Sequence, residues 1–345
     1  MTPHRGTLST LLMITSVAVA SAQTAPGGYT LTRSIAVGGE GGWDYIKADA
    51  ATHRLYVSHA TEVEVVDTVK GAVIGKIPDT PGVHGIALAP ELGHGFISAG
   101  RAGSVTVFDL KTLATITTIK VTGENPDAIA YEPATKRVFT FNGRSSNATA
   151  IDATTNQVVG TIALDGKPEF AVADGKGAMF VNLEDKSMIV KLDPRSLEVK
   201  ARWPLAPCEE PSGLAMDVAT RRLFSVCSNA MMAVVDADSG RVVTTLPTGE
   251  GTDAAAFDPG TKLAFSSNGE GTVTVVREDS PEKFTVVGNV QTKRGARTMT
   301  LDEKTHTLYL PTAQFGPPPS PTPERPRPRP SVLPGTFEVL VVEKK

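Results

Sequence analysis

Cysteine is scarce in this sequence, with 2 in 345 residues, and so are tryptophan, also 2, and aromatic side chains as a whole, at 6 %. Two cysteines exclude a small disulfide-built scaffold and a four-cysteine metal site. No CxxCH, HExxH, glycine-rich phosphate loop or GxSxG elbow occurs. Haem attachment, zincin chemistry, P-loop phosphate binding and the common serine-hydrolase elbow therefore lack their sequence apparatus. Basic excess is missing too: 34 Lys and Arg against 37 Asp and Glu leave a formal charge of -3, without the electrostatic footprint of a nucleic-acid binder.

Turn formers are abundant, with 32 Gly and 25 Pro beside a hydrophobic share of 40 %, which fits a folded, turn-rich chain. The first residues, MTPHRGTLSTLLMITSVAVASAQ, give a basic start at His4 and Arg5, an apolar run, and small residues Ala20 and Ala22 before Gln23. This pattern predicts a secretory signal over 1–22 and a periplasmic or secreted mature chain over 23–345. A single membrane anchor is the alternative, disfavoured because the apolar run is short and interrupted by Thr and Ser. Removing 1–22 takes away one Arg and moves the charge from -3 to -4.

The stretch AIDATTNQVVGTIAL at 150–164 returns as VVDADSGRVVTTL at 234–246. Aligning on the motif apolar-x-Asp brings Asp67, Asp109, Asp152, Asp193 and Asp236 into register, with Arg277 and Glu343 in the sixth and seventh copies. The steps are 42, 43, 41, 43, 41 and, across a Pro-rich insert, 66 residues. Four short strands in each such unit, joined by turns, predict an all-β fold: a seven-bladed β-propeller of four-stranded blades. The seventh copy holds three strands of its own. The N-terminal strand YTLTRSIAV at 29–37 is expected to complete it, closing the ring and pairing an exposed edge. The recurring Asp, with Thr or Ser three residues on, reads as a turn former whose carboxylate accepts backbone N–H groups. Asp49, Asp174, Asp217, Asp258 and Asp302 read the same way.

Blade cores such as NPDAIAYEPATKRVFTFNG and EPSGLAMDVATRRLFSVCSN, each followed by AID, VVD or an equivalent, resemble the YVTN repeat of the YncE-like seven-bladed propellers. The resemblance runs over 29–345 and implies the propeller fold while leaving function open. No WD dipeptide with a GH partner is present, which disfavours a WD40 reading.

In a propeller the first strand of each blade lines the central channel. Matching the copies places Asp44, His84, Asp127, Glu169, Ser212, Asp253 and Arg297 around one mouth. The loops after the second strands are expected on the same face, bringing His59, Asn142, Asn182 and Asn268, with Arg144, Asn229 and Gln314. Carboxylates and amide oxygens gathered at one mouth suit Ca²⁺ or another divalent cation, for which Asp44, Asp127, Glu169 and Asp253 are the candidates. A solvated polar rim is the competing reading, and no cofactor is required by the sequence.

Cys208 and Cys227, both in the fifth copy, are expected to form a disulfide; a soft-metal site with Met231 and Met232 is the alternative. The insert over 316–335, rich in proline and carrying Arg325, Arg327 and Arg329, is expected to be extended and to project from the ring face. The function expected from these features is an exported, monomeric binding or scaffold module for a protein partner or small ligand at the ring face. The alternative is a metal-dependent lactonase or esterase using the acidic ring, and a third possibility is an accessory subunit of a periplasmic redox enzyme. Catalysis is not assigned to any residue, and neither nucleic acid nor a membrane is an expected partner.

Overall fold

A computed structural model describes Met1, residues 26–320, Thr322 and residues 330–345. The expected signal segment and the insert arginines Arg325, Arg327 and Arg329 lie outside the described residues.

The described strands form seven four-stranded antiparallel sheets. Each sheet is one blade, as in Pro126–Glu132, Arg137–Asn142, Asn147–Asp152 and Gln157–Ala163 of blade 3, whose neighbours pair in chain order. Blade 7 alone breaks chain order. Its first three strands are Thr300–Asp302, Thr307–Thr312 and Glu338–Lys344, and its outer strand is Tyr29–Ala36, paired from Tyr29 opposite Lys344 to Ala36 opposite Glu338. The N-terminal strand therefore closes the ring as expected.

Why these segments become blades is legible in their alternation. The second strand of every blade carries one large aromatic at a matching place: Tyr56, Phe96, Phe139, Phe180, Phe224, Phe265 and Tyr309, each at most 4 % exposed. Outer strands such as Gln157–Ala163 alternate exposed and half-buried residues. A blade cannot cover its own faces, so the apolar residues collect in seven clusters, one at each blade–blade interface. The cluster between blades 6 and 7 contains Tyr29, which belongs to the closing strand.

The recurring Asp residues form turns. Asp67 Oδ1 accepts from Val69 N and Lys70 N, and Asp109, Asp152, Asp193 and Asp236 repeat the pattern two and three residues on. Asp49, Asp174, Asp217, Asp258 and Asp302 accept backbone N–H groups in the turn after each first strand. Blade 6 lacks the recurring Asp, and its outer hairpin runs longer, as Thr272–Ser280 paired with Lys283–Gln291. Asp279 takes up the turn there, accepting from Arg277 Nε and Thr285 Oγ1 at 2.6 Å each.

Tyr29 joins closure to the core: it is fully buried, its ring meets Phe265 edge-on at 4.9 Å, and its hydroxyl donates to Asp258 Oδ2 at 3.4 Å. Truncating a fully buried aromatic costs about 3–5 kcal/mol. Tyr29→Ala is expected to lower the urea unfolding free energy by that order; a loss no larger than that of a surface substitution would show that the closing strand does not anchor the ring.

Candidate functional site

The first strands of the seven blades stand side by side around the channel. In blades 1 to 6 the pairing of first and second strands slips near the channel mouth, between Trp43 and Ile46, Val83 and Ile86, Pro126 and Ile129, Pro168 and Ala171, Pro211 and Leu214, and Thr252 and Ala254. Asp44, His84, Asp127, Glu169, Ser212 and Asp253 all fall inside these irregularities. A bulge re-aims a side chain that a regular ladder would hold across the sheet, and here it presents six ring residues at the mouth. Close approach of the strands also selects glycine: a Cβ on Gly213 would lie 2.5 Å from Ala255 N of the next blade.

The backbone carbonyls of the ring are held from the neighbouring blade, always in the same direction. Ser98 of blade 2 donates to Asp127 O at 2.5 Å, Asn182 of blade 4 to Ser212 O at 2.9 Å, and Ser212 of blade 5 to Asp253 O at 2.9 Å. Ser267 of blade 6 donates to Arg297 O, and Thr298 of blade 7 to Asp44 O at 2.6 Å. Short serine, threonine and asparagine side chains thus fix where these ring residues stand.

The ring side chains pair among themselves. His84 Nδ1 lies 2.6 Å from Asp44 Oδ2 and 3.5 Å from Asp127 Oδ1. Arg297 bonds Asp253 and reaches within 3.6 Å of Asp44 Oδ1. Lys167 Nζ contacts Glu169 Oε1 at 2.8 Å and also bonds Glu184. Burial opposes a charge on His84, but the Asp44 hydrogen bond and the charges of Asp127 and Asp44 outweigh it and raise its pKa. Burial pushes Asp127 up to about 6, against the nearby His84. Burial likewise pushes Glu169 up to about 7, with Lys167 opposing and Asp127 and Glu184 adding to the rise.

A cleft of about 650 Å³ opens over this ring. Glu169, Ser212, Asp253 and Arg297 line it together with Lys167 and Arg294, while Trp43, Phe315 and Val332 supply an apolar wall. Phe315, Pro330 and Val332 flank or belong to the Pro-rich insert, whose described ends stand on the ring face as expected. Lys167 and Arg294 were not anticipated. Lys167 is the only cation among the seven residues that lie two places before a ring position, a signal that the aligned copies contain.

The second-strand loops depart from expectation. His59, Asn142, Asn182 and Asn268 are at most 3 % exposed and do not line the cleft. Asn142 Nδ2 donates to Asn147 Oδ1 and Thr149 Oγ1, Asn268 Nδ2 donates to Thr272 and Thr274, and Asn182 donates to the backbone of the next blade. His59 stacks on Phe337 at 4.4 Å. The three amides thus spend their donors inside the protein, whereas the buried Nε2 of His59 has no hydrogen-bond partner among the described residues.

The donors available to a metal are accordingly fewer than the sequence predicted. The Asn142, Asn182 and Asn268 oxygens accept from neighbouring hydroxyls, and Asp253 is held by Arg297. Asp44, His84 and Asp127 do converge, with ligand atoms within 4.8 Å of one another. One imidazole and two carboxylates fit a first-row divalent ion better than Ca²⁺. Cys208 and Cys227 are joined as a disulfide, Cα to Cα 5.7 Å, with Met232 buried in the neighbouring core, so the soft-metal alternative is set aside.

Two consequences are measurable. Thr298 is 2 % exposed, and Thr298→Val removes the donor to Asp44 O; leaving an acceptor unmet costs about 1–3 kcal/mol, read as a lower unfolding free energy. Glu169 is expected to titrate near 7 by carboxyl NMR, where an ordinary glutamate titrates at 4.5. Because the folded state holds this proton more tightly than the unfolded state, ionisation of Glu169 costs stability as pH rises from 4.5 through 7. Lys167→Met removes the opposing charge and should move the midpoint higher; a midpoint at the ordinary value would refute the burial argument.

No family model matches the chain, and no curated protein matches it in sequence. Among solved structures it is similar to the WD40 repeats of RRP9 and to U3-55K, each with a TM-score of 0.77 over 93 % of this chain at 8 % sequence identity, covering 99 % and 100 % of those chains. At that identity the likeness is one of backbone architecture: the chain folds as a WD40-like seven-bladed propeller although no repeat in its sequence pairs a GH with a following WD.

Proposed function

We propose that this propeller is an exported binding module that seats a segment of a partner protein in the cleft above the ring. The observation that carries the reading is the composition of that cleft: three cations, Lys167, Arg294 and Arg297, face three carboxylates, Glu169, Glu184 and Asp253, beside the apolar wall of Trp43, Phe315 and Val332. A polypeptide segment offers both signs of charge and apolar side chains at once, which suits such a surface better than an ion or a singly charged metabolite does. The propeller fold is widely used as a rigid platform for partners. Export is supported by the signal-like residues 1–22, by the disulfide and by the resemblance of the blades to the YVTN repeat.

A metal-dependent hydrolase is the second reading, favoured by the convergence of Asp44, His84 and Asp127. There the three side chains would hold a divalent ion, which when bound supplies Lewis acidity toward a lactone or ester carbonyl. Arg297, 3.6 Å from Asp44 Oδ1, would stand beside the ion as a charge for a developing oxyanion.

The two readings separate in one set of measurements on the mature chain. Fluorescence polarisation against a library of short peptides is expected to select sequences of mixed charge, with binding weakened about tenfold by Arg297→Ala, as loss of a charge-assisted pair implies. Absence of any peptide binder would overturn the first reading. A thermal midpoint raised by Zn²⁺ or Mn²⁺ and unchanged in Asp127→Asn would favour the second, since ligand at ~100 times its Kd contributes about 2.7 kcal/mol.

A further inference from the structure

The channel beneath the ring is a separate compartment. Tyr45 and Phe170, the residues that follow Asp44 and Glu169, bring their rings to 4.5 Å and form a floor under the charged mouth. Both line the cavity below it, of about 290 Å³, and neither lines the cleft above. That lower cavity shares Lys47, Ile86, Ile129, Val172, Met216 and Glu303 with a larger one of about 640 Å³ at the opposite mouth. The lumen therefore opens on the face away from the ring.

Its wall is chemically lopsided. From blade 2 round to blade 6 the side chains lining the lumen include Ile86, Ile129, Val172, Leu214, Met216 and Ala256, with strand backbone exposed between them. Blades 7 and 1 break this lining with one acid and one base: Glu303, in the turn that follows strand Thr300–Asp302, and Lys47, on strand Trp43–Asp49. Both side chains are exposed to the cavity, and among the described residues neither makes a hydrogen bond or an ion pair. The other charged groups at this mouth are engaged: Glu91 accepts from Tyr131, and Asp174 from Arg221 at 2.9 Å. Asp49, the remaining acid near Lys47, is taken by Ala51 N, Thr52 N and Thr52 Oγ1. Desolvation by the surrounding wall lowers the pKa of Lys47, with the charges of Glu303 and Asp49 working the other way.

We infer that the lower lumen is a binding site for a zwitterion with an apolar body, of the α-amino-acid class, whose carboxylate meets Lys47 and whose ammonium meets Glu303 while its side chain lies against blades 2 to 6. Two opposite charges on one edge of a pocket lined otherwise by apolar side chains are complementary to a molecule that carries both charges at one end. A ligand with one charge satisfies one of the pair and leaves the other unmet. The site is distinct from the cleft over the ring, and its occupancy does not depend on the reading proposed for that cleft.

Isothermal titration calorimetry with leucine as the probe tests this on the mature chain. Leucine is expected to bind, and leucinamide, which lacks the carboxylate, and 4-methylpentanoate, which lacks the ammonium, are each expected to bind about tenfold more weakly. Lys47→Met should abolish the preference for leucine over leucinamide, and Glu303→Gln the preference over 4-methylpentanoate. Both residues face solvent in the lumen, and unchanged unfolding midpoints would confirm that the variants fold. Arg297→Ala, in the upper cleft, should leave leucine binding unchanged. No binding of leucine at millimolar concentration, equal binding of all three probes, or leucine binding indifferent to Lys47→Met and Glu303→Gln would each overturn the assignment.

Discussion

Everything in this molecule rests on closing a circle of blades that cannot stand alone. Each blade buries its aromatic second strand only against its neighbours, so the seven interfaces are stable together or not at all. The chain meets this demand by returning its N-terminal strand to the last blade, which pairs the edge of Glu338–Lys344 and places Tyr29 in the core between blades 6 and 7. At the channel mouth the same closure is written in hydrogen bonds, with Ser98, Asn182, Ser212, Ser267 and Thr298 each holding the ring carbonyl of the next blade. Ring geometry is thereby set by the scaffold and not by a ligand.

That scaffold makes the ring's electrostatics largely self-contained. His84 between Asp44 and Asp127, Arg297 against Asp253, and Lys167 between Glu169 and Glu184 distribute charge in local pairs around the mouth. Burial holds the proton on Asp127 and Glu169 to higher pH, which is why both are shifted upward in spite of nearby cations. The lower lumen has a different character: two charged side chains, Lys47 and Glu303, among mainly apolar ones.

Local departures from the repeat carry their own compensation. Blade 6 replaces the turn-forming Asp with Arg277 and moves the turn outward to Asp279, lengthening the hairpin. Blade 4 shortens its second strand to Met179–Leu183 yet still seats Phe180 at the aromatic position and Asn182 where it reaches Ser212. Backbone geometry tolerates these changes because each preserves the buried contact and the interblade hydrogen bond. The 8 % identity to propellers of nearly superposable backbone shows how little side-chain identity the architecture needs.

The spacing of Asp67, Asp109, Asp152, Asp193 and Asp236 was enough to determine the blade count, the turns and the closing role of 29–37, because these depend on local hydrogen bonding and on strand periodicity repeated in the sequence itself. The same alignment located the seven ring positions. What each of those side chains touches was decided only by the tertiary structure. The Asn residues of the second-strand loops looked like ligands by type, but strand ends at the channel leave backbone and threonine groups to satisfy, and Asn142, Asn182 and Asn268 turn inward to do so. Lys167 enters the ring because folding sets it against Glu184 of the adjoining turn, and Lys47 and Glu303, 256 residues apart in sequence, share one lumen because the first and last blades meet. Periodicity fixes what is repeated within the chain, whereas juxtaposition across a closed ring exists only once the ring has closed.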